Sequence, residues 1–399
     1  MKPIEIRPDV FWVGVNDRVS ELFEGLWPIN QEGITYNSYL VRDEKSAIID
    51  LSKEILSEDY LAQLADVFDI TELDYVVINH MEPDHSGALL RLLSIAPQVK
   101  ILGMPKTGAM LKDFYGITEN VERLSSGQEL SLGKKTLRFV YTPFVHWPET
   151  MMTYLVEEAI LFPCDGFGGY GTLDGTIFDD SVDDLHYYEA ESLRYFTNIV
   201  AAYSKSVLSA IGKFEGTPIK IVAPAHGLVW RKNPGRIIEL YKRWSEYYKD
   251  PAEVGVTALL GTMYRNTEHA MSAVLDGIAA EGVPVRVYDV RRTHISYILS
   301  DLWTQRGVLV AAPTYEGGLF PAMMDALKMA DIKHVSNKKA AYIGSYAWSG
   351  GAQKAFEEMA EKMSWDVVNS IGFLGGPEEV DLDRARELGV QLAQQVKSG

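Results

Sequence analysis

Along the first part of this chain, four strand-like runs each lead within a few residues to side chains that bind metal. Tyr75–Ile78 leads to His80-Met81-Glu82-Pro83-Asp84-His85, Leu137–Tyr141 to His146, Ile160–Phe162 to Asp165, and Ile219–Ala223 to His226. Sixty residues separate His85 from His146, 18 separate His146 from Asp165, and 60 separate Asp165 from His226. A sheet fixes the bases of the loops that leave it, so strand ends can bring distant residues to one point. Alone, each His or Asp at a strand end reads as a cap or a satisfied hydrogen bonder. Taken together, the same relation repeated at four strands reads as one site. Four ligating side chains within six residues crowd a single ion but can serve two adjacent ions, and Pro83 stiffens their segment.

The other strand expectations here are Val10–Val15, Asn37–Val41, Ser46–Asp50, Val99–Met104 and Met152–Val156, all short and rich in β-branched and aromatic residues. Helices are expected at Ser57–Val67, Ala88–Ser94, Thr107–Phe114 and Leu185–Ile211, with one beginning at Ser86-Gly87. Many strands with a few interspersed helices suit two sheets with helices packed outside them. A helix over Pro234–Tyr248 then meets Asp250-Pro251, which interrupts it.

From Glu253 the pattern becomes a regular alternation of strand and helix. Strands are expected at Val254–Leu260, Val285–Asp289, Gly307–Ala312, Ala340–Gly344 and Asp366–Ile371. Helices are expected at Glu268–Glu281, Ile295–Trp303, Pro321–Met329, Ala352–Met363 and Arg384–Val396. Nearly continuous apolar strands alternating with helices indicate a parallel sheet covered on both faces. The expected domains are therefore 1–250 and 251–399.

Composition excludes several classes. The formal charge of −17 removes the basic face that non-specific nucleic-acid binding needs. A single cysteine, Cys164, rules out an internal disulfide framework, a Cys-rich iron–sulfur site and a fused rubredoxin-like module. The first residues, MKPIEIRPDVFWVGV, lack a charged-then-apolar signal pattern, and no run of 18 apolar residues occurs. The expected location is the cytoplasm, with no membrane association.

The series His-x-Glu-x-Asp-His, then a distant His, Asp and His, resembles the metallo-β-lactamase fold, whose commoner motif has His where Glu82 stands. With Glu at that position, a His146-Trp147-Pro148 segment and a Pro224-Ala225-His226-Gly227 segment, the chain resembles the flavodiiron proteins over nearly its entire length. That resemblance implies an N-terminal metallo-β-lactamase-like αββα sandwich followed by a C-terminal flavodoxin-like doubly wound parallel sheet. It implies one iron on His80, Glu82 and His146, a second on Asp84, His85 and His226, and Asp165 as the bridge. In some family members the residue at His85 is absent or swung away. Carboxylates added to imidazoles suit a harder, redox-active iron better than zinc.

The C-terminal part resembles flavodoxin and implies bound FMN. The phosphate loop would be Thr262-Met263-Tyr264-Arg265-Asn266-Thr267, opening onto a helix N-terminus. The usual pattern has Gly where Arg265 stands, and Arg265 could add charge to phosphate binding or point outward. Pro313-Thr314-Tyr315-Glu316-Gly317-Gly318 and Ser345-Tyr346-Ala347-Trp348-Ser349-Gly350 would sandwich the isoalloxazine, with Tyr315 or Trp348 stacking on it. No G-x-G-x-x-G follows the first strand of this part, which argues against a dinucleotide.

The family resemblance implies a cytoplasmic oxidoreductase in which FMN passes electrons to the irons. These reduce O2 to water, nitric oxide to nitrous oxide, or both, as detoxification in an anaerobe-type metabolism. It further implies a head-to-tail homodimer or a dimer of such dimers, and an external donor, either a rubredoxin-like protein or a reduced deazaflavin coenzyme. Tyr195, Tyr36 and Trp147 could shape or protonate the pocket, or simply pack. Glu24 stands where some relatives have His. An ionisable carboxylate near the oxidant could alter proton delivery or the preference between O2 and nitric oxide, which makes Glu24, with Tyr195, a candidate catalytic residue. The competing class is a dizinc hydrolase with an accessory flavodoxin-like domain, against which Glu82 and the flavin loops count. Cys164 is expected to be a small buried hydrophobe, and His186, His269, His294 and His334 match no part of the site pattern.

Overall fold

The computed structural model describes residues 2–249 and 252–398. The expected break at Asp250-Pro251 lies outside the described residues. The chain divides into two compact units, Met1–Ser245 and Glu246–Gly399.

The first unit holds two main sheets. One has seven strands in the order Ile4–Arg7, Val10–Trp12, Tyr39–Val41, Ala47–Ile49, Tyr75–Val77, Lys100–Gly103 and Val121–Arg123. Its first four strands pair antiparallel and the remainder parallel. The other has five strands, Glu129–Ser131, Thr136–Tyr141, Met151–Leu155, Ile160–Phe162 and Ile221–Val222, with only the last pair parallel. Residues of Tyr39–Val41, Ala47–Ile49, Tyr75–Val77, Met151–Leu155 and Ile160–Phe162 are buried throughout, as strands covered on both faces must be. The sheets face one another, with the Tyr39 and Phe162 ring centroids 5.0 Å apart. This is the αββα sandwich.

Three sequence expectations change. The Val10–Val15 run divides into Val10–Trp12 and Val15–Asp17, which lie in different sheets. The backbone passes so close to its neighbour at Gly14 that a Cβ there would lie 2.5 Å from the Tyr36 carbonyl oxygen. The helix expected to start at Ser86-Gly87 is instead a short turn, Pro83–Ser86, followed by Leu89–Ile95. Pro83, preset for the first helical position, starts the turn early. The single helix expected over Leu185–Ile211 is Leu185–Tyr195, a π-helical turn Phe196–Val200, a 3-10 turn Ala201–Tyr203 and Ser204–Lys213. The wide turn re-aims adjacent side chains. Tyr195 reaches Asp165, while Phe196 packs on Tyr241 and Trp244.

The second unit has one five-stranded sheet in the order Val285–Asp289, Glu253–Leu260, Gln305–Ala311, Lys339–Tyr346 and Asp366–Leu374. Every pair is parallel. This is the 2-1-3-4-5 order of the flavodoxin-like doubly wound sheet. Helices Asn266–Ala280 and Glu379–Ser398 pack backbone to backbone. A Cβ on Gly389 would lie 2.0 Å from the Val274 carbonyl oxygen, and one on Gly277 2.1 Å from that of Arg386. Ala270, Val274, Ile278, Leu388 and Leu392 belong to the core on this side. Among the described residues, no helix is long and apolar enough to cross a membrane.

Candidate metal centre and flavin site

The segment after Tyr75–Val77 is fixed by a buried clamp. Asp50 accepts hydrogen bonds from the Asn79 backbone N–H at 2.8 Å and its side-chain amide at 3.0 Å. Asn79 in turn accepts from the Thr153 hydroxyl at 2.7 Å, which ties the segment to the second sheet. Ser86 donates to the Met81 carbonyl at 2.9 Å and closes the Pro83–Ser86 turn, on which Asp84 and His85 ride.

All seven expected metal ligands converge, and they divide into two sets around Asp165. Asp165 Oδ1 lies 3.1 Å from His85 Nε2 and 3.2 Å from His226 Nε2. Its Oδ2 lies 3.6 Å from His80 Nε2 and 3.9 Å from His146 Nε2. Glu82 Oε2 completes the second set, 3.1 Å from His80 Nε2 and 2.9 Å from His146 Nε2. Asp84 completes the first, with one oxygen 3.4 Å from His85 Nε2 and the other 3.4 Å from His226 Nε2. His85 is buried and turned inward with the rest.

The donor set fits two metal ions. Both Asp84 oxygens and His226 Nε2 are buried and make no hydrogen bond among the described residues. His226 Nδ1 is 2.6 Å from the Thr35 carbonyl oxygen, which can only accept, so Nδ1 carries a proton and Nε2 presents its lone pair. Several lone pairs facing one another in a dry space repel unless a cation or protons lie between them. Without metal, protons do so. Burial lowers the His226 pKa, but the Asp165 and Asp84 carboxylates override it and raise it to about 10. Burial likewise raises Glu82, yet the His146 and His80 imidazoles hold it well below the usual carboxylate range.

The expected companions of the site separate. Tyr195, fully buried, donates to Asp165 Oδ1 at 2.7 Å. Burial and then the Asp165 charge push its phenol well above the ordinary value. Tyr36 donates to Asp17 at 3.3 Å and meets the His226 ring at a centroid distance of 5.7 Å. Trp147 packs edge-on against His80 at 4.9 Å. Glu24 is at the surface, while its carboxyl turns in beside Glu82 and His146 and accepts from the Trp27 indole at 3.0 Å. Desolvation there, then the Glu82 charge, lifts it to about 7. Cys164 is buried, with Sγ 3.7 Å from His85 Nδ1. His186, His269 and His334 are exposed, and His294 caps the Ile295–Thr304 helix through Ser296 N–H.

Two members of this environment escaped the sequence reading. Glu149 Oε1 lies 2.7 Å from His80 Nδ1, and its place two residues after Trp147 in the His146 segment was the available signal. The Thr35 carbonyl has no sequence signal, because every residue supplies a carbonyl.

In the second unit the three expected flavin loops lie at the carboxyl ends of Glu253–Leu260, Gln305–Ala311 and Lys339–Tyr346. Thr267 Oγ1 and Ser345 Oγ are 3.2 Å apart, which joins the first loop to the third. Thr314 Oγ1 accepts from Ala352 N–H at 3.3 Å, which ties the second loop to the helix that follows the third. Arg265 adopts φ 73°, the left-handed region that explains the usual Gly, and its side chain turns to Glu268 at 3.2 Å. Tyr315 is 45% exposed, Tyr264 84% and Trp348 90%. Large rings left in water beside hydroxyl-bearing loops at parallel strand ends suit a flat ring carrying a phosphate.

Comparison with known proteins agrees with both halves. The family model described as "ODP family beta lactamase" matches residues 34–227, and "Flavodoxin" matches 259–389. The nitric oxide reductase of Moorella thermoacetica is 33% identical over 99% of this chain and 99% of its own length. The rubredoxin oxygen:oxidoreductase of Desulfovibrio gigas superposes with a TM-score of 0.94 at 26% identity, covering 100% of this chain and 99% of that one. The flavodiiron protein of Giardia intestinalis gives 0.94 at 28% identity, covering 100% and 97%. With a β-lactamase-type half, a flavodoxin half and full-length relatives of this kind, the chain belongs to the flavodiiron family.

Proposed function

We propose that this protein is an FMN-dependent di-iron oxidoreductase that reduces nitric oxide to nitrous oxide, O2 to water, or both. The carrying observation is Asp165, whose two oxygens face two separate sets of imidazoles. His80, Glu82 and His146 would hold one iron, Asp84, His85 and His226 the other, and Asp165 would bridge them. FMN would lie among the loops at Thr262–Thr267, Pro313–Gly318 and Ser345–Gly350. When bound, FMN supplies stored electrons, and the iron pair supplies a place where a diatomic oxidant accepts them.

The chain's own residues prepare that place. Tyr195 keeps its proton at neutral pH and holds it against Asp165 Oδ1, which fixes the carboxylate's orientation. Trp147, with Phe114 at a ring distance of 6.4 Å, forms an apolar wall beside His80 that admits an uncharged gas and gives water few partners. Glu24 stands at the same end with a carboxyl able to exchange a proton near neutral pH.

The relatives' names support the substrates, since one is called a nitric oxide reductase and another a rubredoxin oxygen:oxidoreductase. The latter name also supports a rubredoxin-like protein as donor, with a reduced deazaflavin coenzyme as the other candidate. We further propose a head-to-tail homodimer or a dimer of such dimers, a cytoplasmic location and a domain boundary near residues 250–251. Turnover assays with each donor and each gas, alongside iron, zinc and FMN analysis, test the proposal. Two irons and one FMN per chain with gas consumption are expected. Zinc in place of iron would return the protein to the hydrolase class.

A further inference from the structure

Three of the four histidines present their second nitrogen to partners of different chemistry. His226 Nδ1 faces the neutral Thr35 carbonyl at 2.6 Å. His85 Nδ1 faces the Cys164 thiol at 3.7 Å. His80 Nδ1 instead lies 2.7 Å from Glu149 Oε1, a carboxylate. The same oxygen accepts the Met81 backbone N–H at 2.9 Å, and Glu149 is fully buried. Glu149 Oε2 has no hydrogen-bond partner among the described residues, and Glu149 is among the residues that line a cavity of about 380 Å³ with Met104, Lys106, Leu124 and Tyr141. Among the described residues, the other partners of this carboxylate are backbone amides, the Met81 N–H and its own.

A carboxylate behind an imidazole makes its other nitrogen a stronger donor to a metal. The front of His80 already faces Glu82 at 3.1 Å and Asp165 at 3.6 Å, and Glu24 reaches the same end within 4.8 Å of Glu82 and His146. The Asp84–His85–His226 end has Asp84 and Asp165, with a neutral carbonyl behind His226. Behind His85 lie the Cys164 thiol and the Asp50 carboxylate, and the ligand atoms of these three residues are within 4.8 Å of one another. Asp50 is already engaged by two Asn79 hydrogen bonds, so of the three histidines only His80 has a carboxylate bonded directly to its second nitrogen. Negative charge and electron-rich ligands favour the more oxidised state of a nearby metal. We propose that Glu149 is a positioning residue that acts through His80 to lower the reduction potential of the metal at the His80–Glu82–His146 end. The metal at the Asp84–His85–His226 end then accepts the first electron. This inference rests on the di-iron reading of the site.

The test is Glu149→Gln in the iron- and FMN-loaded protein. Glutamine keeps the length and one acceptor oxygen for His80 and Met81, while its amide nitrogen takes the unpartnered position of Oε2. Spectroelectrochemical titration follows the two metal potentials separately from the flavin bands, and chelator competition follows iron affinity. The lower metal potential should rise while the upper stays, and one iron should be lost about tenfold more readily than in the parent. Glu149→Asp should move the potential back toward the parent value. Unchanged potentials, a shift of the upper one alone, or equal shifts of both would overturn the inference. A lowered melting temperature with unchanged potentials would also overturn it, leaving Glu149 a folding residue only. A parent protein that binds no iron would overturn the di-iron reading instead.

Discussion

Asp165 needs both of its oxygens and a fixed orientation, and Tyr195 supplies the orientation. The tyrosine's hydrogen bond to an ionised group is worth about 1.5–3 kcal/mol. Tyr195→Phe should therefore leave both irons bound and lower turnover by roughly tenfold, the kinetic equivalent of about 1.4 kcal/mol. Iron analysis beside steady-state gas consumption checks this. His226 carries the clearest pH consequence. In the metal-free protein its pKa is raised from 6.5 to about 10, so at neutral pH an incoming metal displaces a proton. Apparent metal affinity should rise by about tenfold per pH unit for this one proton until about 10. Chelator-competition titrations across that window read it directly. The same raised value stabilises the metal-free fold fully below 6.5, and the contribution fades as pH climbs through about 10. Ligand types at strand ends were legible in sequence because side-chain chemistry is written there. The Thr35 carbonyl and the Cys164 thiol behind His85 were not, because their roles come from where the backbone brings them.

Element positions follow the same division. In the second unit, Val285–Asp289 has its expected bounds, and the other strands differ only at their ends. There the three central strands are largely apolar and buried and each helix is periodic, so local pattern and tertiary position agree. The first unit was less legible where tertiary demands override the local pattern. The Leu185–Ile211 run is apolar enough for one helix, yet the site needs Tyr195 on Asp165 and the core needs Phe196 on Tyr241, which a π-helical turn reconciles. Short edge strands such as Val121–Arg123 and Glu129–Ser131 bury no residue and so have no apolar signature. The helix pair in the second unit makes a further prediction. Gly389→Leu places a side chain where even a Cβ would be 2.0 Å from the Val274 carbonyl oxygen. Overpacking of this kind costs about 3 kcal/mol. Thermal melting should fall, and FMN content after gel filtration should fall with it, while the iron content of the first unit is retained.

At the scale of the whole molecule, each half by itself is ambiguous. A β-lactamase-type sandwich can hold zinc for hydrolysis, and a flavodoxin-like sheet can be a mere electron carrier. Glu82 and the two-sided Asp165 shift the first toward a redox pair, and the exposed rings in three loops at parallel strand ends give the second a flavin. Together they require that electrons stored on FMN leave through the metal pair to a small oxidant. The direct measurement is stopped-flow reoxidation of the anaerobically reduced protein by O2 or nitric oxide, with and without iron, while gas consumption is recorded. The iron-loaded protein should reoxidise its flavin rapidly as gas disappears, and the iron-free protein should lag far behind with at least one of the gases. Equal rates with and without iron for both gases would contradict it.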